Sequence, residues 1–170
     1  MPIMPTPWFT SQSIGTRIQY GLQNGSESWI LPLAENERQL GMFKLPPFQR
    51  PHVWTVEQDT AFVESIWDGL PLGTYVMNVS DGRNPAVVTC DHWLLDGQQR
   101  WTALNRYVAD EFPVYGHLWS ALPDVDQRNF RGRQFGKVEI TDLSPERCLE
   151  VYNKLAYGGT AHTPENYPTP

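Results

Sequence analysis

The stretch LLDGQQRWTAL, residues 94–104, constrains the fold more than any other part of the chain. An apolar run, Trp93–Leu95, ends at an Asp-Gly pair, and Trp101, Leu104 and Val108 then fall at helical spacing. The hydrophobic period changes from that of a strand to that of a helix within a few residues. Such a switch marks a strand-to-helix junction, and glycine at the hinge permits a tight turn and close approach of a ligand to the backbone. The pattern predicts a strand over Ala86–Leu95 and a helix over Gln98–Ala109.

A second constraint lies upstream. In LPPFQRPHVW (45–54), Pro46, Pro47 and Pro51 force extended or turn geometry on themselves and their predecessors. Thr55 then reads as a helix N-cap, with Gln58 at the capping-box position. Phe62 and Ile66, and Val63 and Trp67, stand four apart, so Thr55–Asp68 reads as an amphipathic helix that Gly69 ends. Leu72–Val79 reads as a strand and Asp81-Gly82 as a turn. Phe112–Tyr115 and Gln134–Thr141 read as shorter strands. Ser144-Pro145 opens a last helix, with Cys148, Tyr152 and Leu155 on its apolar side and Gly158-Gly159 as its stop.

Upstream of Phe43 the signals are weaker: a helix or strand around Ile14–Leu22, a strand around Ser28–Leu33, and an irregular start in which Trp8 and Phe9 are the anchors. There is no internal repeat. The expected organisation is one mixed α/β domain, with residues 1–41 as an arm and first elements, 42–165 as the body and 166–170 as a tail. Its length of 170 residues suffices for one domain with a genuine core.

The chemistry of DGQQR follows from its place. The first N–H groups of a helix have no internal partners, and the macrodipole is positive there, so Gly97, Gln98 and Gln99 stand at an anion site. Arg100 can grip a phosphate with its planar fork. Asp96 opposes these donors in sign. It suits a Mg²⁺ bridging to phosphate oxygens, or a base that takes a proton from an attacking hydroxyl or water. A plainer alternative stands beside this: Asp96-Gly97 only a turn, Gln98 and Gln99 solvated, and Arg100 in a surface salt bridge.

Four ordered motifs go further. Pro46-Pro47-Phe48-Gln49-Arg50 with Trp54 is followed by the turn Gly69-Leu70-Pro71-Leu72-Gly73, then by Asp96–Arg100, then by NKLAYGGTAHTPE (153–165). From Met42 to Glu165 this resembles the DUF262 family, the N-terminal domains of GmrSD-type restriction systems, which are similar to the ParB N-terminal and sulfiredoxin superfamily. The resemblance implies a compact α/β (α+β) fold, a small mixed sheet with helices and a nucleotide site at the strand-to-helix junction. Family members hydrolyse nucleoside triphosphates in support of DNA cleavage. Related folds include an ATP-driven sulfur reductase, a CTP-switched DNA clamp and a small-molecule kinase. The carry-over makes Asp96, Gly97, Gln98, Gln99 and Arg100 the phosphate and metal site, with Thr102 just behind them. Gln49 and Arg50 line the same pocket, Arg50 facing phosphates or Asp96. Where the family often has Asn-Thr-Gly, this chain has Ala156-Tyr157-Gly158. Asn153 and His162 are the stand-ins, with Gly158 and Gly159 as a substrate loop.

Composition limits the partners. The net charge is −6, so bulk electrostatics does not favour nucleic acid. The stretch 126–137 is the local candidate: Arg128, Arg131, Arg133 and Lys137 interleave with Phe130 and Phe135, as in a nucleic-acid grip. The favoured reading is nonetheless a solvated loop that the two phenylalanines anchor to the core. Trp54, Trp67 and Trp101 read as core. Asp91-His92 reads as a turn. The two cysteines, Cys90 and Cys148, form no CxxC and have no His at metal spacing; they read as free thiols of a reducing compartment, with a Cys90–Cys148 disulfide as the alternative. No apolar run reaches 18 residues and the start does not read as a signal peptide, so the expected location is the cytoplasm, with no membrane partner. His52, His92, His117 and His162 make no H-N-H or H-x-x-x-H pattern, so a self-contained nuclease is not expected.

The expected function is a Mg²⁺-dependent phosphotransferase or hydrolase that uses ATP, GTP or CTP in DNA modification or restriction, with water or a hydroxyl on a modified DNA base as acceptor, as in a phage-type base kinase. The alternative is a nucleotide-binding switch that acts through a partner nuclease without turnover.

Overall fold

The structure, a computed structural model, describes residues 11–22, 31–82 and 88–157. Its centre is the strand over Gln134–Thr141, here β6, with the bounds the sequence predicts. β1 (Ser11–Arg17) runs antiparallel along one edge of β6, and β4 (Thr74–Val79) runs parallel along the other. β5 (Leu94–Asp96) pairs antiparallel with β4, giving the order β1-β6-β4-β5. A separate two-stranded ribbon joins β2 (Arg38–Leu40) to β3 (Phe43–Leu45). Among the described residues four helices are bounded and complete the α+β fold: α1 (Val56–Trp67), α2 (Gln98–Val108), α3 (Asp124–Arg131) and α4 (Pro145–Tyr157). Short 3₁₀ turns lie at Ile18–Tyr20 and Trp119–Ala121.

Alternation along β4 shows how the layers form. Successive strand side chains point to opposite faces. Tyr75 and Met77 enter a large cluster with Phe43, Leu94, Trp101, Tyr107, Phe130 and Phe135. Val76 enters a smaller cluster on the other side, with Cys90, Trp93, Leu95, Ile140, Cys148 and Val151. The first cluster has an aromatic centre: Trp101 stacks on Phe135 at 5.1 Å between ring centroids and meets Tyr75 edge-on at 5.3 Å. The second is the thinner layer beneath α4.

Helix α1 begins as its sequence dictates. The Thr55 side chain accepts from the Gln58 backbone N–H, and the Gln58 side chain accepts from the Thr55 N–H, so both halves of the capping box are present. Gly69, at φ 79°, follows its end. No described helix is long and apolar enough to cross a membrane.

Several local expectations are corrected. The strand predicted over Ala86–Leu95 is confined to Leu94–Asp96, with Val88 helical and 89–92 in turns; Ala86 lies outside the described residues. Polar side chains replace the ladder there. The Asn78 side-chain amide donates to the Cys90 carbonyl, and an Asp91 carboxylate oxygen accepts from the Ser80 and His92 N–H groups. His92 takes φ 63° in consequence. Phe112–Tyr115 forms no strand: Val114 bridges His117 around Tyr115-Gly116, both at positive φ, while Phe112 and Val114 anchor in the core. Residues 126–137 are not a loop but the end of α3 and the start of β6, because Phe130 and Phe135 both insert into the aromatic cluster. Ile14–Leu22 splits into the end of β1 and a 3₁₀ turn. Leu31–Leu33 is not a strand, and the rest of the Ser28–Leu33 segment, with Trp8, Phe9 and Trp29, lies outside the described residues.

Candidate functional site

β5 ends at Asp96 and α2 begins at Gln98, so the site is built at the junction between them. Gly97 takes φ 98°, and a Cβ there would lie 2.6 Å from Tyr75 Cβ. Neither the backbone angle nor the space admits another residue without strain. The Trp101 N–H closes the first helical bond on the Gly97 carbonyl at 3.0 Å. No side chain caps this helix and no acid sits in its first turn. Neither a cap nor an acid of its own first turn therefore offsets its positive end.

The proline-rich segment is stitched onto this junction by amides. Gln49 Nε2 donates to the Leu94 carbonyl at 2.9 Å, and Arg38 Nη2 donates to the Gln49 carbonyl at 2.7 Å. Gln99 Oε1 accepts from the Val53 N–H at 2.8 Å and the Trp54 N–H at 3.3 Å, and its Nε2 donates to the Pro51 carbonyl at 3.3 Å. Beneath the loop, the fully buried Asp59 pairs with Arg106 and with His52 Nε2, tying α1, α2 and the segment together.

The two site arginines differ. Arg100 Nη1 donates to the Leu72 carbonyl at 2.9 Å, and Nη2 donates to the Thr74 carbonyl at 2.6 Å and to Asp96 Oδ2 at 3.0 Å. Its guanidinium lies over the Phe135 ring, 5.4 Å from the centroid. Burial pulls its pKa below the ordinary value while Asp96 opposes that shift. Arg50 is exposed and makes no ion pair or hydrogen bond with any described residue.

These residues surround one cavity of ≈ 220 Å³, lined by Gln49, Arg50, Asp96, Gly97, Gln98, Gln99 and Arg100. Gln98 is only 5% exposed, and its Oε1 is buried without a hydrogen-bond partner. A buried amide oxygen left unpaired costs free energy of about 1–3 kcal/mol, so its place in a cavity wall is notable. Asp96 keeps 48% of its side chain exposed.

Sequence reasoning did not place four lining residues in the site: Trp54, Leu95, Tyr152 and Ala156. Trp54, read as core, packs edge-on against Phe62 at 5.6 Å while also facing the cavity. Tyr152 and Ala156 come from α4, and their four-residue spacing, continuing from Cys148, was the available signal. Asn153, on the next position of α4, is exposed and does not line the cavity, and neither does Thr102. Gly158, Gly159 and His162 lie outside the described residues.

Of the basic set, Arg128 and Arg133 share one surface with Asn129 and Gly132. Arg131 stacks over Trp119 at 5.1 Å, and Lys137 pairs with Glu139 at 2.6 Å. Among the described residues no group of three or more His, Cys, Asp or Glu side chains is placed to hold a metal ion. Asp96 is the carboxylate of this cavity. It suits a Mg²⁺ that arrives with phosphate oxygens, since such ions are held by one or two protein carboxylates and keep most of their shell from phosphate and water.

The family model described as the GmrSD restriction endonuclease N-terminal domain matches residues 30–161. No curated protein and no solved structure matches the chain.

Proposed function

We propose a nucleotide-phosphate site for this chain, which belongs to the family of GmrSD restriction endonuclease N-terminal domains and so to restriction or modification systems. The observation that carries the proposal is Arg50: an exposed cation with no partner among the described residues, on the same cavity as an uncapped helix N terminus. Both attract an anion, and phosphate satisfies both at once.

The residues then take distinct roles. The backbone N–H groups at Gln98 and Gln99 donate to phosphate oxygens. Arg50 forks onto non-bridging oxygens and balances charge as it develops. Gln98 offers an amide in the wall. Asp96 holds Mg²⁺ or accepts the proton of the attacking hydroxyl or water. Mg²⁺, when bound, supplies neutralisation of phosphate charge. Arg100 positions Asp96 and does not clamp phosphate itself, since three of its N–H groups are already engaged. Trp54 and Tyr152 give the remainder of a nucleotide apolar walls.

In this reading the protein turns over ATP, GTP or CTP, with water or a hydroxyl on a modified DNA base as acceptor, within the ParB/sulfiredoxin-like class. DNA contact falls to Arg128 and Arg133 as a pair. One observation favours the alternative of a switch that binds without turnover and signals to a partner nuclease: Asp96 Oδ2 is already engaged by Arg100 Nη2 at 3.0 Å.

The test is binding and phosphate release with each nucleoside triphosphate and Mg²⁺, with and without DNA, on wild type and Asp96→Ala. The enzyme reading expects turnover that Asp96→Ala lowers by roughly 10²-fold or more, in the range for a lost acid–base group. Binding with no turnover selects the switch. Absence of binding by any nucleotide contradicts both.

A further inference from the structure

Arg128 stands on α3, and Arg133 stands in the step from α3 to β6. Neither lines the cavity at the α2 N terminus. Both are exposed, and neither side chain has a hydrogen bond or ion pair with a described residue. The other cations of this stretch are engaged, Arg131 over Trp119 and Lys137 on Glu139. Carboxylates close in the chain are turned elsewhere. Asp124 and Asp126 stand in the first turn of α3, away from the end that carries Arg128. Asp68, before Gly69, accepts from the Tyr115 hydroxyl at 2.9 Å.

Two adjoining cavities open beside these arginines. One, of ≈ 430 Å³, is lined by Arg128, Asn129, Gly132 and Arg133. The other, of ≈ 420 Å³, lies between residues 69–72 and 132–134. Gly132 and Arg133 line both, so the two form one groove. Its chemistry changes along its length. One end has two cations and the Asn129 amide. The other has Leu70, Pro71 and Leu72, with the Gln134 amide as a polar group. Gly69, at φ 79°, keeps the turn bare: a Cβ there would lie 3.8 Å from Arg133 Nη1. The Arg133 guanidinium therefore lies along that turn, at the joint between the two ends.

A charged end beside an apolar end with one amide matches a nucleotide unit. Arginine forks fit the non-bridging oxygens of a phosphodiester. Apolar side chains cover the face of a base, and an amide offers its edge both a donor and an acceptor. A duplex must unstack and unpair a base to fill such a groove, whereas a single strand presents its bases at once. We propose that this groove binds a single strand of DNA, with phosphates on Arg128 and Arg133 and a base between the 69–72 turn and Gln134. The choice of DNA rests on the proposed function, which gives DNA contact to the same two arginines. The turn also joins the groove to the main site, because the Leu72 carbonyl holds Arg100 Nη1 at 2.9 Å and Arg100 holds Asp96.

The test follows fluorescence anisotropy of a short labelled DNA strand of mixed sequence, of its duplex and of the matching RNA strand. It uses the full chain at several salt concentrations and contains no nucleoside triphosphate. The strand should bind at least roughly tenfold tighter than the duplex, whose base must first be unstacked. Its log affinity should fall against log salt with a slope of about −1.4, from two phosphates at about −0.7 each. Arg133→Ala and Arg128→Ala should each weaken the strand roughly tenfold, as the loss of charge-assisted bonds gives, and about halve the slope, at unchanged Tm. Leu70→Glu, at an exposed position, should also weaken it by setting a carboxylate where the base lies. Arg147→Ala removes the same charge from α4, where Arg147 pairs with Glu150, and should leave binding nearly unchanged. Absence of strand binding, equal affinity for strand and duplex, or tighter binding of RNA would each overturn the proposal. So would an Arg133→Ala protein that binds as wild type does, or an equal loss in Arg147→Ala. Failure here strikes the groove alone, since no nucleoside triphosphate is present, and failure to bind ATP in a separate titration strikes the main cavity alone.

Discussion

The floor and the rim of the cavity are made of similar residue types and behave differently. On the floor, Gln49, Gln99 and Arg100 direct their donors at protein carbonyls: Leu94, Pro51, Leu72 and Thr74. On the rim, Arg50 has no described partner, and in the wall below it Gln98 Oε1 is buried without one. An arginine or glutamine is thus architecture or recognition according to whether its donors and acceptors are already engaged. The DGQQR stretch contains both kinds. Substitutions on the floor should lower stability, and those on the rim should lower binding while leaving stability nearly intact.

The largest stability effect is expected at Gly97→Ala. A left-handed backbone angle and a Cβ 2.6 Å from Tyr75 act together, and a loss of about 2–4 kcal/mol follows, read by urea denaturation. Next is Arg100→Ala, which strips donors from two carbonyls and leaves Asp96 unpaired. We expect about 2–3 kcal/mol, and Arg100→Lys should recover little because a point charge cannot replace the fork. Gln99→Ala frees the N–H groups of Val53 and Trp54. It should cost about 1–2 kcal/mol, with hydrogen exchange accelerated at 51–54. Smaller again is Thr55→Ala, which removes one half of a capping box away from the cavity; about 1 kcal/mol is expected, with no change in ligand binding. The smallest stability effect belongs to Arg50→Ala, within about 0.5 kcal/mol.

How far the sequence disclosed this division depends on which interactions are local. The Thr55–Gln58 box and the hinge at Gly97 are local, and their residues identify them. The bounds of β6 follow from its alternation and the turn before it. The short β5 was not legible, because Asn78 donates to the Cys90 carbonyl and Asp91 accepts from the Ser80 N–H, and these long-range side-chain bonds replace the ladder that apolar residues there suggest. The same limit applies at the site. The family resemblance grouped Gln49 and Arg50 with 96–100, and all of these residues line the cavity. It could not reveal that Arg100 faces backbone carbonyls 26 and 28 positions earlier. Nor could it bring Tyr152 and Ala156 across the sheet edge, since that depends on how α4 packs against β5. Arg128 and Arg133 separate from Arg131 and Lys137 for a related reason: once Phe130 and Phe135 are fixed in the core, the residues between and beyond them must point different ways.

The most direct measurement is a titration of ATP with Mg²⁺ by calorimetry on wild type and Arg50→Ala, with melting temperatures recorded on the same samples. The division predicts a dissociation constant at least roughly tenfold weaker, from the loss of about 1.5–3 kcal/mol in charge-assisted hydrogen bonds, at an unchanged melting temperature. Equal affinity in the two proteins would contradict it, and would remove Arg50, and with it the observation that carries the phosphate site, from the rim of this cavity.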